Sequence, residues 1–303
     1  MIATTQPPEP TVRRVATRRP SSLLGQLLRY LRAIASDLRC TARTAADLPS
    51  ALRMGWDLAT FRLLEVAWPP SGRLRRVRIR PDTHLSYRQN KGDIYSIHEI
   101  WFEESYRLPV ELQPQVVVDL GANIGMTSLW LAKFYGCKRI IAVEPSAGNA
   151  GVARENFARN GIDAVVHEAA AGARDGAAKF YEVASSTNGR LVFDDDRETD
   201  IPAGVLQAVP VRVMSMASIL ASLPPEMPID LVKVDIEGGE QALLIGEVGW
   251  LARVRALLIE FHPSLIEYDR LVGVIERAGL RRVHSVITDE HGGNTLELFL
   301  RPS

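Results

Sequence analysis

Apolar positions along the chain follow three successive patterns. From Leu23 they recur at 23, 24, 27, 28, 31, 34, 35 and 38, with arginines on the opposite face, which predicts an amphipathic helix. A second helix is predicted from near Pro49, a favourable first-turn residue, with Leu52, Trp56, Ala59, Leu63 and Val66 in one stripe. The Pro- and Gly-containing run at 68–72 ends it. Between Arg73 and Ile97 the pattern changes to alternation (Leu74, Val77, Ile79, then Leu85 and Tyr87), which predicts short strands, and a helical lead follows from Ile97 to Arg107. Downstream, strands are predicted at 116–120, 139–143, 164–167, 176–184, 207–214, 230–235, 255–260, 281–287 and 295–300, and helices at 125–135, 147–159, 239–247 and 264–278. Strands alternating with helices imply an α/β fold: a mainly parallel sheet with right-handed crossovers and ligands beyond the carboxyl ends of the strands.

Composition changes this picture in one respect. The chain has 303 residues, 46% hydrophobic and 24% charged, enough for one large globular domain plus an appendage. Its net charge of zero hides an asymmetry: residues 1–80 hold fifteen arginines and five acids, so the remainder is acidic by about ten charges. An acidic body suits a cationic ligand, whereas the basic arm suits anionic lipid, nucleic acid or that body itself. Residues 1–20, rich in Pro, Thr and Arg, are expected to be a disordered basic arm. The helical extension at 21–72 has two readings, a membrane-surface or partner-binding element and a hairpin that covers the main domain. No apolar run reaches the 18 residues of a membrane span, and the N-terminal basic patch lacks a clean cleavage site, so a cytoplasmic protein, peripheral at most to a membrane, is expected. Cys40 and Cys137 have no metal spacing and are expected as free thiols in a reducing compartment.

The densest motif spans 116–125. Val116, Val117 and Val118 lead into Asp119, followed by a turn with Gly121, Asn123 and Gly125 and then a helix. A strand ending at an acid and turning sharply into a helix gathers backbone N–H groups and a carboxylate at one spot, as a nucleotide-type ligand requires. The spelling is GxNxG, not the dinucleotide fingerprint, with Met126 where a third glycine would fall. That favours S-adenosylmethionine, which carries a sulfonium and an ammonium but no phosphate. The next strand ends at Glu144, about 20 residues on, an offset at which an acid accepts ribose hydroxyls.

Two further strand ends carry charge. In 230–240, Lys233, Asp235 and Glu237 share one side by period-two alternation, and Glu240 opens a helix. Several charges along one edge are costly unless paired or used. The following strand delivers Glu260 and His262 to the same rim, an acid and an imidazole suited to proton transfer.

With these motifs assembled, the chain resembles the FkbM family of S-adenosylmethionine-dependent methyltransferases over roughly residues 75–300. The most specific matches are 118–125, 143–145 and 230–238, with Tyr87, Arg88, Gly92, Asp93, Glu99 and Ile100 similar to the family's lead-in segment. The resemblance implies a Rossmann-like class I methyltransferase sheet, mostly parallel with an antiparallel C-terminal strand. It also implies a methyltransferase domain at 73–303, with a lead-in at 73–115 and a catalytic core at 116–303. By similarity, Asp119, Gly121, Asn123 and Gly125 would hold the methionine part and Glu144 the ribose, Glu168 and Ala170 would border the adenine, and Asp235 and Glu237 would face the methyl and the acceptor. Two departures are visible: Met216 and Ala217 replace the usual Leu-Asp pair, and the run 169–171 is a plain alanine border.

The implied reaction is O-methylation of a sugar, glycan or polyketide-like natural product by in-line methyl transfer. Asp235 and His262 are the candidate bases, and Glu237 and Glu260 orienting partners. No dedicated metal motif is present, and Mg²⁺ held by the rim carboxylates is left open. The alternatives weighed are a nicotinamide-dependent oxidoreductase and a non-catalytic membrane- or partner-binding protein on the same scaffold. Nucleic-acid methylation is disfavoured, because an acidic body repels phosphate.

Overall fold

The computed structural model describes residues 23–64, 71–183, 190–192, 205–289 and 293–302. The arm expected at 1–20 and most of the polar segment at 184–206 lie outside these. The chain opens with two helices, α1 (Leu23–Thr44) and α2 (Leu48–Leu64), followed by an antiparallel hairpin of β1 (Ser71–Ile79) and β2 (Thr83–Gln89). The two helices pack on each other, α1 also against the lead-in helix and α2 against β1. Their buried faces carry Cys40, Met54 and Leu58, and Asp57, at 1% exposure, receives the Tyr87 hydroxyl at 2.8 Å and Arg75 at 3.1 Å. The opposite faces leave Leu28, Leu31, Leu38, Leu48, Leu52 and Trp56 exposed. Among the described residues no helix is long and apolar enough to cross a membrane. Both cysteines are free and buried.

The lead-in helix differs from the sequence reading. It starts earlier, as α3 (Lys91–Ser96), because the Asn90 side chain caps it by accepting from the Asp93 N–H, and it continues as a π-helix over Ile97–Phe102. π-Helical turns are rare and concentrate at functional sites. This one turns Glu99 and Ile100 toward a cleft.

The body then alternates as expected: β3 (Val116–Leu120), α4 (Met126–Tyr135), β4 (Arg139–Glu144), α5 (Ala147–Arg159) and β5 (Asp163–Glu168). After β6 (Ala170–Gly172) come β7 (Gly176–Val183), β8 (Arg190–Val192), β9 (Val205–Ser215) and the short α6 (Met216–Ile219). The rest is β10 (Ile229–Val234), α7 (Glu240–Ile245), β11 (Val254–Phe261), α8 (Tyr268–Arg277), β12 (Arg281–Asp289) and β13 (Asn294–Leu300). Seven strands form the main sheet in the order β12-β13-β11-β10-β3-β4-β5, parallel except for β13, which runs antiparallel to both neighbours. The order and the single reversed strand are those of the mostly parallel, Rossmann-like sheet that the resemblance implies. Strands β6 to β9 form a four-stranded sheet of their own, in the order β6-β9-β7-β8, in which β7 pairs antiparallel with both β8 and β9.

Both faces of the main sheet are apolar, as a parallel sheet covered by helices requires. Val117, Ile140, Leu231 and Leu258 point to one core, and Val118, Ile141, Val232 and Leu257 to the other. From β3 the chain steps outward to β4 and β5, then crosses back to place β10 on the other side of β3. The strand order therefore reverses at β3/β10, and a crevice opens beyond their carboxyl ends.

Candidate active site

A cleft of about 410 Å³ lies at this switch point. Its two ends are built differently.

At the β3/β4 end, the turn at 121–125 takes left-handed backbone at Gly121 (φ 77°), Asn123 (φ 50°) and Gly125 (φ 76°). The glycines answer to protein contacts. A Cβ on Gly121 would stand 1.8 Å from the Asp235 carbonyl oxygen, and one on Gly125 2.8 Å from the Phe157 ring. The turn aims the Asn123 N–H at Glu144, whose Oε2 accepts it at 2.8 Å; its Oε1 accepts from the Ser146 N–H at 3.0 Å and from Asn149 at 3.3 Å. Burial pushes the Glu144 carboxyl up to about 7, against the pull of these donors. Glu144, Asn123, Gly121 and Ala170 line the cleft, and among the described residues Asn123 Oδ1, buried there, has no hydrogen-bond partner.

Asp119 sits behind this wall. It is fully buried, accepts from the Ser128 hydroxyl at 2.6 Å and faces Lys233 at 3.3 Å, because β3 and β10 pair with Lys233 opposite Asp119. The Lys233 ammonium donates to the Gly121 carbonyl at 2.8 Å and stands 3.5 Å from Asp235. Burial alone would lower its pKa, but Asp119 and Asp235 more than offset this and hold it charged. Together Asp119 and Lys233 fasten the turn to the end of β10. Gly125 and Glu168 also lie off the cleft wall, Glu168 half-exposed beside Arg154 at 3.4 Å.

At the β10/β11 end, Glu99, Asp235, Glu237 and Glu260 line the same cleft. Strand alternation does not carry Glu237 there, since β10 ends at Val234. Glu237 (φ 52°) and Gly238 (φ 93°) instead form a left-handed turn that folds the carboxylate back. His262 lies behind Glu237, 5% exposed and off the cleft wall: its Nδ1 is 3.0 Å from Glu240 Oε1 and its Nε2 3.4 Å from Glu237 Oε2. The Tyr106 hydroxyl donates to Asp235 at 3.4 Å, and Thr288 donates to Glu260 at 2.7 Å. Burial and then mutual repulsion push the carboxyls up, Glu99 and Glu260 to about 7 and Glu237 to about 8. Burial opposes protonation of His262, but Glu240 and Glu237 raise it to about 9.

The structure thus brings Asn123, Glu144, Ala170, Asp235 and Glu237 to one cleft. Sequence reasoning gave no site role to Glu99, Tyr106, Asn149 or Glu240. Glu99 had a usable signal, an acid in the lead-in motif, whereas Tyr106 had none.

The family model described as the methyltransferase FkbM domain matches residues 119–282. The chain is similar to Methyltransferase 1 of Beauveria bassiana, 24% identical over 169 residues, which cover 52% of this chain and 68% of that protein. It is also similar to the AMB antimetabolite synthetase AmbE of Pseudomonas aeruginosa, 28% identical over 202 residues, covering 56% of this chain but only 10% of the synthetase. Among solved structures, Aeropyrum pernix fibrillarin with natively bound S-adenosyl-L-methionine aligns with 78% of this chain and 86% of its own, at 15% identity and a TM-score of 0.41. The ribosomal protein L11 methylase of Lactobacillus delbrueckii subsp. bulgaricus aligns with 70% and 81%, at 12% identity and a TM-score of 0.39.

Proposed function

The chain belongs to the FkbM methyltransferase family, and on that premise we propose that it moves a methyl group from S-adenosylmethionine to a hydroxyl of a sugar, glycan or polyketide-like natural product. The observation that carries the reading is one cleft with an adenosine-type end at Glu144 and a crowded carboxylate end at Asp235. Family membership sets aside the nicotinamide-dependent oxidoreductase.

The residues fit the cofactor. Glu144 has one acceptor site left on Oε2 beyond its three donors, which a ribose hydroxyl can fill, and Asn123 Oδ1, unpartnered among the described residues, needs a donor such as an ammonium. The acids around them favour a cationic group. S-adenosylmethionine supplies an electrophilic methyl on a sulfonium. Asp235, steadied by Lys233 and the Tyr106 hydroxyl, orients the acceptor hydroxyl, and Glu237 or Glu260 takes its proton, since carboxyls raised to 7–8 are bases matched to neutral pH. His262 acts through Glu237, because it sits behind that carboxylate and off the cleft wall. Alignment contributes about 7–11 kcal/mol against about 10²–10⁴-fold for the base, so positioning dominates. The similarity to a segment of an antimetabolite synthetase supports a small-molecule acceptor.

The test is calorimetric titration with S-adenosylhomocysteine, wild type against Glu144→Ala, followed by methyl-transfer assays on hydroxylated acceptors. Micromolar binding lost in the variant supports the cofactor site. Absence of binding in the wild type overturns it and brings a scaffold role for α1 and α2 forward. Transfer to an amine instead of a hydroxyl would correct the acceptor class alone.

A further inference from the structure

We propose that Asp235, Glu237 and His262 form a divalent-cation site at the acceptor end of the cleft. Each offers one donor atom, and the three atoms lie within 4.8 Å of one another. His262 Nε2 and Glu237 Oε2 are 3.4 Å apart. Two donors each bound at about 2.0–2.2 Å to a single first-row ion stand about 3.0–3.4 Å apart, so this pair already has the spacing of neighbouring ligands.

The imidazole is set for the role. Its Nδ1 is engaged by Glu240, a fully buried carboxylate that also accepts from the Gly238 N–H at 3.3 Å. With Nδ1–H donated to Glu240, Nε2 is directed at Glu237, and a bound cation takes the place of the proton that the imidazolium otherwise holds between them. Two lone pairs facing across 3.4 Å repel unless a proton or a cation lies between them. A carboxylate behind the imidazole is the arrangement that fixes tautomer and ring direction in metal-binding histidines. Among the described residues the second oxygen of Glu240 has no hydrogen-bond partner, so His262 is its side-chain partner.

The site is closed behind and open in front. The His262 side chain is 6% exposed, whereas those of Asp235 and Glu237 are 25% and 30% exposed and line the cleft. Three protein ligands on one side leave coordination positions facing the space where an acceptor oxygen would bind, the pattern of catalytic rather than structural metal sites. One imidazole with two carboxylates suits Mn²⁺ or Zn²⁺ better than Ca²⁺ or Mg²⁺, which favour all-oxygen shells. This deepens the methyltransferase reading by giving the acceptor oxygen a Lewis acid, and it rests on that reading only for the cation's role, not for its binding.

The experiment strips the full-length protein with EDTA and titrates it with Mn²⁺, following loss of the free-ion six-line EPR signal. About one Mn²⁺ per chain is expected at micromolar free ion, with affinity falling at least about tenfold in Glu237→Gln and about 10–100-fold in Glu240→Gln. Glu237→Gln is isosteric and partly exposed, so it tests the ligand without a large threat to folding. No binding at about 1 mM, or binding unchanged in Glu237→Gln, overturns the proposal. S-adenosylhomocysteine calorimetry in EDTA reports the cofactor end alone: loss of binding there sinks the methyltransferase reading, while the Mn²⁺ titration judges the cation site.

Discussion

Glu144 ends β4 and Glu237 follows β10, two parallel strands that flank β3, and burial pushes both carboxyls upward, yet their surroundings are opposite. Glu144 faces two backbone N–H groups and an amide. Glu237 faces Asp235 and Glu260, with a histidine as its nearest cation. The first acid is satisfied by donors that the fold itself supplies. The second belongs to a set of four acids served by only Lys233 and His262 among the described residues, and desolvated like charges persist only where a substrate, proton or cation relieves them. One end of the cleft is therefore satisfied by the fold, and the other, crowded end is where we propose that the transfer occurs.

The sharpest break joins the two ends. Gly121→Ala drives a Cβ into the Asp235 carbonyl at a left-handed residue, so a loss above about 4 kcal/mol is expected, seen as a collapse of thermal stability together with S-adenosylhomocysteine binding. If the variant melts like wild type, the contact between the ends is not rigid. Next, Asp235→Asn should lower turnover on the order of 10²-fold, the cost of a misoriented acceptor, while leaving cofactor affinity within a few fold. Loss of affinity alone would move Asp235 to the Glu144 end. Conversely, Glu144→Gln should weaken S-adenosylhomocysteine binding by about 1–3 kcal/mol, because an amide NH₂ turned toward existing donors leaves them unpaired. Titration calorimetry measures this, and unchanged affinity would remove Glu144 from the site.

Acidity gives a smaller handle. Carboxyls raised from 4.5 to 7–8 bind protons more tightly in the folded state, so the stability they lend is complete below about pH 4.5 and is lost as pH rises through 7–8. Glu260→Gln should flatten this decline, gaining on the order of 1 kcal/mol at pH 8 relative to pH 5 after screening. Melting curves of both proteins across that range decide it; parallel curves would mean the repulsion is already relieved. The smallest effect is expected at Glu168→Ala, within about 0.5 kcal/mol for both stability and cofactor binding, since that side chain is half-exposed beside Arg154. A large loss of binding there would restore the adenine contact that the family resemblance implies.

Much of the body was legible in the chain. The glycine turn at 121–125, the acids at 144 and 235 and the strand–helix alternation are local patterns, and they reappear within a few residues of their expected places. Asp119 shows where such reading stops. An acid ending a buried strand looks like a ligand residue, but the pairing of β3 with β10 sets Lys233 beside it and turns it into an anchor. The separate sheet of β6 to β9 was equally hidden, because strand propensity does not say which neighbour a strand will choose.

By itself the sequence determined what depends on short separations: strand and helix periods, the left-handed turn that needs glycine, and the residue types delivered to each strand end. Only the tertiary structure decided which of those charges face one another. It lined the cleft with Glu99 from the π-helix, placed Glu240 behind His262 and swung Glu237 back through its turn. Charge interactions depend on distance through space and on burial, and both are set by strand register and packing between segments far apart in the chain.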